Sequence, residues 1–155
     1  MDRQIKNVLA LHNQLQNIWA KSVGPLLDRI DIQIEVSPVK YEKLGNEEIP
    51  ETSEDIKKRV NQARILQRNR YKEENIYSNS GLTPKLIEKY CKLDKESKKL
   101  LETAFEKLGL SARAYGRILK VARTIADLAG SENIQKNHIA EAIQYRSLDK
   151  KYWKS

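Results

Sequence analysis

The chain has 155 residues, 29 of them Lys or Arg and 21 Asp or Glu, for a formal net charge of +8 and an isoelectric point near 9.5. With 32% charged residues, a mean hydropathy of −0.70, no apolar run approaching the roughly 20 residues that span a bilayer and no signal-peptide pattern at the N-terminus, the sequence excludes a membrane protein and points to the cytoplasm. Its single cysteine, Cys91, allows neither an internal disulfide nor a cysteine-based metal site, and the positive balance favours a polyanionic partner.

The first predicted element is a helix over Met1–Val23, where Ile5, Val8, Leu9, Leu15, Ile18 and Trp19 recur at helical spacing without an intervening Gly or Pro. Gly24-Pro25 ends it. Ile30, Ile32, Ile34 and Val36 then alternate with Asp31, Gln33 and Glu35 until Ser37-Pro38, the period of a strand. A strand needs a partner for its backbone N–H and C=O groups, and nothing later in the sequence supplies one. The expected partner therefore lies in another chain or in a larger protein.

Val39 to Pro50 is polar and reads as a loop. Thr52 and Asp55 have the spacing of a helix cap, and Ile56, Val60, Ala63 and Leu66 form a helical stripe running towards Tyr71. Lys57, Lys58, Arg64 and Arg68 crowd that helix. They form either a solvated face or a surface that contacts a nucleic-acid phosphate backbone. Asn79-Ser80-Gly81 is turn chemistry, and Thr83-Pro84 caps a short helix to about Cys91 with Leu86, Ile87 and Tyr90 inward. Asp94 caps the next helix, in which Leu100, Leu101, Ala104, Phe105 and Leu108 face the core until Gly109.

The organising helix runs from the Ser111 cap to Gly130. Ala114, Ile118, Val121, Ile125 and Leu128 make one apolar stripe, and Tyr115, Leu119, Ala122, Ala126 and Ala129 a second beside it. So wide an apolar arc belongs at the centre of a bundle. Arg113, Arg117, Lys120 and Arg123 occupy the remaining face, which reads either as solvated or as a site where Arg113 and the free amides of the helix start share a phosphate. A last helix follows, with Ile139, Ala142 and Ile143 inward. His138 reads as a surface or cap-adjacent residue, and neither it nor His12 has metal partners at useful spacing.

Two runs carry a resemblance. Gly109-Leu110-Ser111-Ala112-Arg113-Ala114-Tyr115 through Val121-Ala122-Arg123-Thr124-Ile125-Ala126-Asp127-Leu128-Ala129-Gly130, with Gly24-Pro25-Leu26-Leu27-Asp28-Arg29-Ile30-Asp31-Ile32, closely resembles the C-terminal part of ComM/YifB-type proteins, which are magnesium-chelatase-like AAA+ ATPases. The resemblance extends from near Lys21 to about Trp153. Residues 1–20 lie outside it; together with the helix read from their spacing, the resemblance divides the chain into residues 1–38, that N-terminal helix plus the last-strand remnant of an AAA+ core, and residues 39–155, the helical lid. It further implies that Arg113 is the sensor-2 arginine reaching nucleotide phosphates, and that Arg29 is the arginine finger reaching a neighbouring subunit's nucleotide. A charged start to the strand is the plainer account of Arg29. Gly116 stands where the resemblance leads one to expect a larger residue.

The nucleotide-gripping half is missing from these 155 residues: no Gly-x-x-x-x-Gly-Lys-Ser/Thr pattern occurs, and no apolar strand ends in an acidic pair. The cysteine-rich stretch that many family members carry before Gly-Pro-Leu-Leu-Asp-Arg is absent as well. The expected fold is mostly α, a lid-like helical bundle preceded by a helix and a single strand. Two functions remain open. The first is the lid portion of a DNA-acting motor for branch migration, using ATP and magnesium only in the intact protein and assembled as a homo-oligomeric ring or with an AAA+ core partner. The second is a stand-alone basic module that binds nucleic acid or docks on a full-length relative. No independent enzymatic activity, cofactor or metal is expected of this chain by itself.

Overall fold

The computed structural model describes residues 29–38 and 50–146. The helix predicted over 1–23, the Gly24-Pro25 turn, all of the loop from Val39 except Pro50, and the residues from Ser147 onward lie outside the described residues. Within them the chain forms α1 (Ser53–Arg70), α2 (Pro84–Tyr90), α3 (Lys95–Leu108), α4 (Ala112–Leu128) and α5 (Lys136–Gln144), with a short 3-10 turn at Asn79–Gly81. The mostly helical fold class is as expected.

Capping chemistry sets the boundaries. Thr52, Thr83, Asp94 and Ser111 each accept a hydrogen bond from a first-turn amide, at 3.2, 3.4, 2.7 and 3.2 Å respectively. Both α3 and α4 end on a glycine in the left-handed region, Gly109 at φ +55° and Gly130 at φ +66°. In each case the following amide reaches back across the last turn: Leu110 N–H to the Phe105 carbonyl at 3.1 Å, and Ser131 N–H to the Ala126 carbonyl at 2.8 Å.

α4 is the central helix, packed against α1, α2 and α5, while α3 packs on α5. An isolated parallel bridge between Leu93 and Ile134 holds the chain ahead of α3 beside the chain ahead of α5. Ile118, Leu119, Ala122 and Ala126 of α4 meet Leu101, Ile134, Ile139 and Ala142 in the core, with Tyr71, Leu82 and Cys91 closing one side. The buried line on α4 runs through Ala114, Ile118, Leu119, Ala122 and Ala126 and on to Arg123 and Asp127, while Tyr115 and Leu128 of the predicted stripes remain exposed. At Gly116 a Cβ would lie 3.5 Å from Cδ1 of Ile87, an ordinary contact, so the crossing of α2 over α4 leaves room for a methyl group there.

Residues 30–36 make no ladder among the described residues, and Ile32, Ile34 and Val36 are 50%, 67% and 85% exposed. The alternation encodes a face whose sheet partner is expected outside this chain. Two readings are corrected. On α1 only Ala63 of the predicted stripe is buried, joined by Gln67 one turn further on, whereas Ile56, Val60 and Leu66 are exposed. Arg123 is not part of a solvated face; it is 2% exposed.

Candidate functional site

The start of α4 is built by Ser111, whose hydroxyl accepts from the Ala114 amide and leaves the preceding first-turn amides without a helical acceptor. Arg113 sits in that turn, exposed, and makes no hydrogen bond or ion pair among the described residues. No acidic side chain lies in the first turn of α4 to offset the helix dipole.

One turn further along, Arg117 is occupied. Its Nη1 donates to the Arg29 carbonyl at 2.7 Å and also to the Asp31 carboxylate. Arg146, buried just beyond α5, donates to the Ile30 carbonyl at 2.9 Å, and the Gln33 amide donates to the Tyr145 carbonyl at 2.9 Å. The structure therefore brings the backbone of Arg29 to the helix that carries Arg113. The Arg29 side chain is exposed.

The remaining cations of α4 turn inward or sideways. Lys120 donates to the Ser80 carbonyl at 3.0 Å. Arg123 donates to the carbonyls of Ser131 and Glu132 at 2.8 and 2.9 Å, and pairs with Asp127 at 3.1 Å. Asp127 also accepts from Arg70 of α1 at 2.5 and 3.0 Å and from the Asn79 side-chain amide at 2.9 Å. Burial works against the charge on both arginines. For Arg70 burial is the largest single influence and lowers the pKa, but the hydrogen bonds and charge interactions with Asp127 and Tyr71 together outweigh it and hold the pKa above the ordinary value, whereas for Arg123 burial prevails and lowers it. Asp127 at the negative end of the helix dipole is thereby compensated. Sequence reasoning missed this network, although the i, i+4 spacing of Arg123 and Asp127 was its visible signal.

The four α1 cations singled out for nucleic acid are all exposed. Lys58 pairs with Glu54 at 3.3 Å, and Arg64 donates to Gln67 at 3.4 Å. Lys57 and Arg68 make no ion pair among the described residues. No three His, Cys, Asp or Glu side chains converge to hold a metal among the described residues, and no helix there is long and apolar enough to cross a membrane.

Residues 50–146, the whole helical bundle, match the family described as magnesium chelatase, subunit ChlI C-terminal. The chain belongs to that family. It is similar to the competence protein ComM of Haemophilus influenzae, at 46% identity over 136 residues, covering 87% of this chain and 26% of the relative. It is similar also to the uncharacterized protein YifB of Escherichia coli, at 41% identity over 128 residues, covering 82% of this chain and 24% of YifB. The uncharacterized protein Mb2921c of Mycobacterium bovis is more distant, at 28% identity over 126 residues, covering 81% of this chain and 25% of the relative. The chain thus spans about a quarter of the length of the curated relatives it matches, and the match lies in their C-terminal part. Membership of the magnesium chelatase C-terminal family bears out the resemblance carried by the α4 sequence.

Proposed function

We propose that this chain is the lid portion of a ComM-like AAA+ motor that uses ATP to act on DNA during recombination, with Arg113 as its nucleotide sensor and Arg29 as the arginine offered to a neighbouring subunit. The observation that carries the reading is the start of α4: an exposed arginine without a partner among the described residues, beside first-turn amides that can meet an anion. A guanidinium presents a planar fork to two phosphate oxygens at once, which suits a sensor better than a lysine would. In this reading residues 1–38 belong to the AAA+ core, residues 39–155 form the lid, and the intact motor works as a ring.

The described residues fit the phosphate end of a nucleotide but not magnesium, for want of a converging set of carboxylates. Gripping ATP and its Mg²⁺ accordingly falls to the P-loop half of the intact protein. The exposed cations Lys57, Lys58, Arg64 and Arg68 give α1 a face for the DNA backbone in the same reading. A stand-alone basic module would use that face alone. Its DNA affinity would then fall with salt as expected for a few phosphate contacts, without any dependence on ATP.

The test joins this chain to a P-loop core and replaces Arg113 or Arg29 with alanine. ATP turnover is expected to drop steeply, since a positioned arginine can contribute on the order of 10³–10⁵ in rate, while the melting temperature stays at the parent value. Parent-rate turnover by Arg113→Ala together with a loss in Arg117→Ala would move the sensor role one turn along α4.

A further inference from the structure

The contacts of residues 29–33 with the bundle leave a question that neither the family nor the capping chemistry answers. This segment forms no ladder, yet its backbone is held at consecutive points: the Arg29 carbonyl by Arg117, the Ile30 carbonyl by Arg146, and the Gln33 amide by the Tyr145 carbonyl. The two arginines come from different helical regions and approach the segment together. Arg146 is buried, so its placement is set by the core. Arg117 is about a quarter exposed, with a side-chain exposure of 27%, and reaches the segment from the outer face of α4. Its guanidinium takes a carbonyl and a carboxylate together, a charge-assisted arrangement that is stronger than a neutral hydrogen bond.

We infer that Arg117 is a positioning residue: it latches the Arg29 backbone to α4, so that Arg29 and Arg113 move as one body with the bundle. The role of the two latched arginines rests on the function proposed above, whereas the latch itself stands on the geometry alone. The backbone carbonyl of Arg29 is engaged by the latch while the residue itself is exposed, which suits a side chain that must be held in place and still reach outward. Arg117 lies one helical turn after Arg113, and an α-helix rises only about 5.4 Å per turn. A displacement of the α4 start is therefore transmitted to the Arg29 backbone through the Arg117 side chain, while Arg146 and Tyr145 hold the following residues to the end of α5. The Asp31 carboxylate keeps the guanidinium in register with the backbone.

The experiment uses the full chain and two readouts. Amide hydrogen exchange is followed at Gln33, and the distance between spin labels placed at Arg29→Cys and Arg113→Cys is measured with Cys91→Ala in the background. In Arg117→Ala the Gln33 amide is expected to exchange about tenfold or more faster, the loss of roughly one charge-assisted hydrogen bond. The distance distribution is expected to broaden, while the α5 amides keep their protection. Arg117→Lys keeps a charged donor but not the reach of the guanidinium Nη1 that makes both bonds, and is expected to restore the distribution in part. Asp31→Asn, which leaves the core untouched, is expected to broaden it less than Arg117→Ala. Unchanged Gln33 exchange and an unchanged distribution in Arg117→Ala overturn the latch. A broadened distribution together with parent ATP turnover by Arg29→Ala in the P-loop fusion overturns the motor reading and leaves the latch standing.

Discussion

Arg70 and Asp127, 57 residues apart in the sequence, form a two-pronged ion pair at 2.5 and 3.0 Å that fastens the end of α1 to the last turn of α4. The Asp127 side chain is fully buried and that of Arg70 is 18% exposed. With Arg123 on the other side and Asn79 donating from the 3-10 turn, the carboxylate has its acceptor capacity filled. A buried ion pair of this kind adds little over a well-packed apolar alternative, but breaking it is costly because the surviving charges are stranded.

Asp127→Asn is accordingly expected to destabilise the bundle by about 3–5 kcal/mol, since it leaves buried Arg123 without its counter-charge. Urea unfolding followed by circular dichroism measures this. A loss below about 1 kcal/mol, the level of an exposed pair, would show that water reaches the network.

The two kinds of glycine in and around α4 predict opposite signs. Gly116→Ala adds a methyl group at ordinary contact distance, 3.5 Å, from Ile87 and removes the entropy penalty of a mid-helix glycine, so a gain of about 0.5–1 kcal/mol is expected. Gly109→Ala forces a side chain to φ +55°, and a loss of about 1–2 kcal/mol is expected. Thermal melts of the two variants check the pair.

His138 gives the fold a pH dependence. Its Nδ1 accepts from the Gln135 amide at 3.1 Å, which requires that nitrogen to be unprotonated. Burial, aided by the nearby Arg123 charge, lowers its pKa from the ordinary 6.5. The unfolded chain therefore binds a proton at a higher pH than the folded one. The stabilisation is complete above the unfolded value and is lost as the pH falls through it towards the folded value. Stability of the parent is expected to decline below about pH 6.5, the ordinary value for histidine, and His138→Gln, which keeps an acceptor and does not titrate, is expected to flatten that limb. An equal decline in both chains would assign the pH dependence to other groups.

Cys91 is buried, and burial pushes its thiol up to about 11. A protonated, covered thiol is a poor nucleophile. At mildly alkaline pH a disulfide reagent is expected to label the folded chain far more slowly than the urea-unfolded chain. Equal rates would mean that the region between α2 and α3 opens readily.

The sequence by itself determined the helices and their ends. Side-chain caps at Thr52, Thr83, Asp94 and Ser111 and glycines at 109 and 130 act within a few residues of themselves, so their consequences are legible without a fold. The identity of the central helix was legible for the same reason: its apolar arc is wide and its caps are local. Arg113 at the exposed start of α4 and the four cations on α1 were legible as positions on helices.

Only the tertiary structure decided which charges on α4 face water. Arg113 and Arg123 look alike in the sequence, yet one is exposed and the other is sealed against Asp127 and the carbonyls of Ser131 and Glu132. It also decided the fate of residues 30–36, whose alternation reads as a strand. Among the described residues the backbone groups of this segment meet partners from the bundle instead of a sheet, the Ile30 carbonyl taking Arg146 and the Gln33 amide the Tyr145 carbonyl. The physical reason is common to both cases. Capping and periodicity are local properties of the chain, whereas the burial of a charge and the partner of a carbonyl depend on which distant segments the packed core brings alongside.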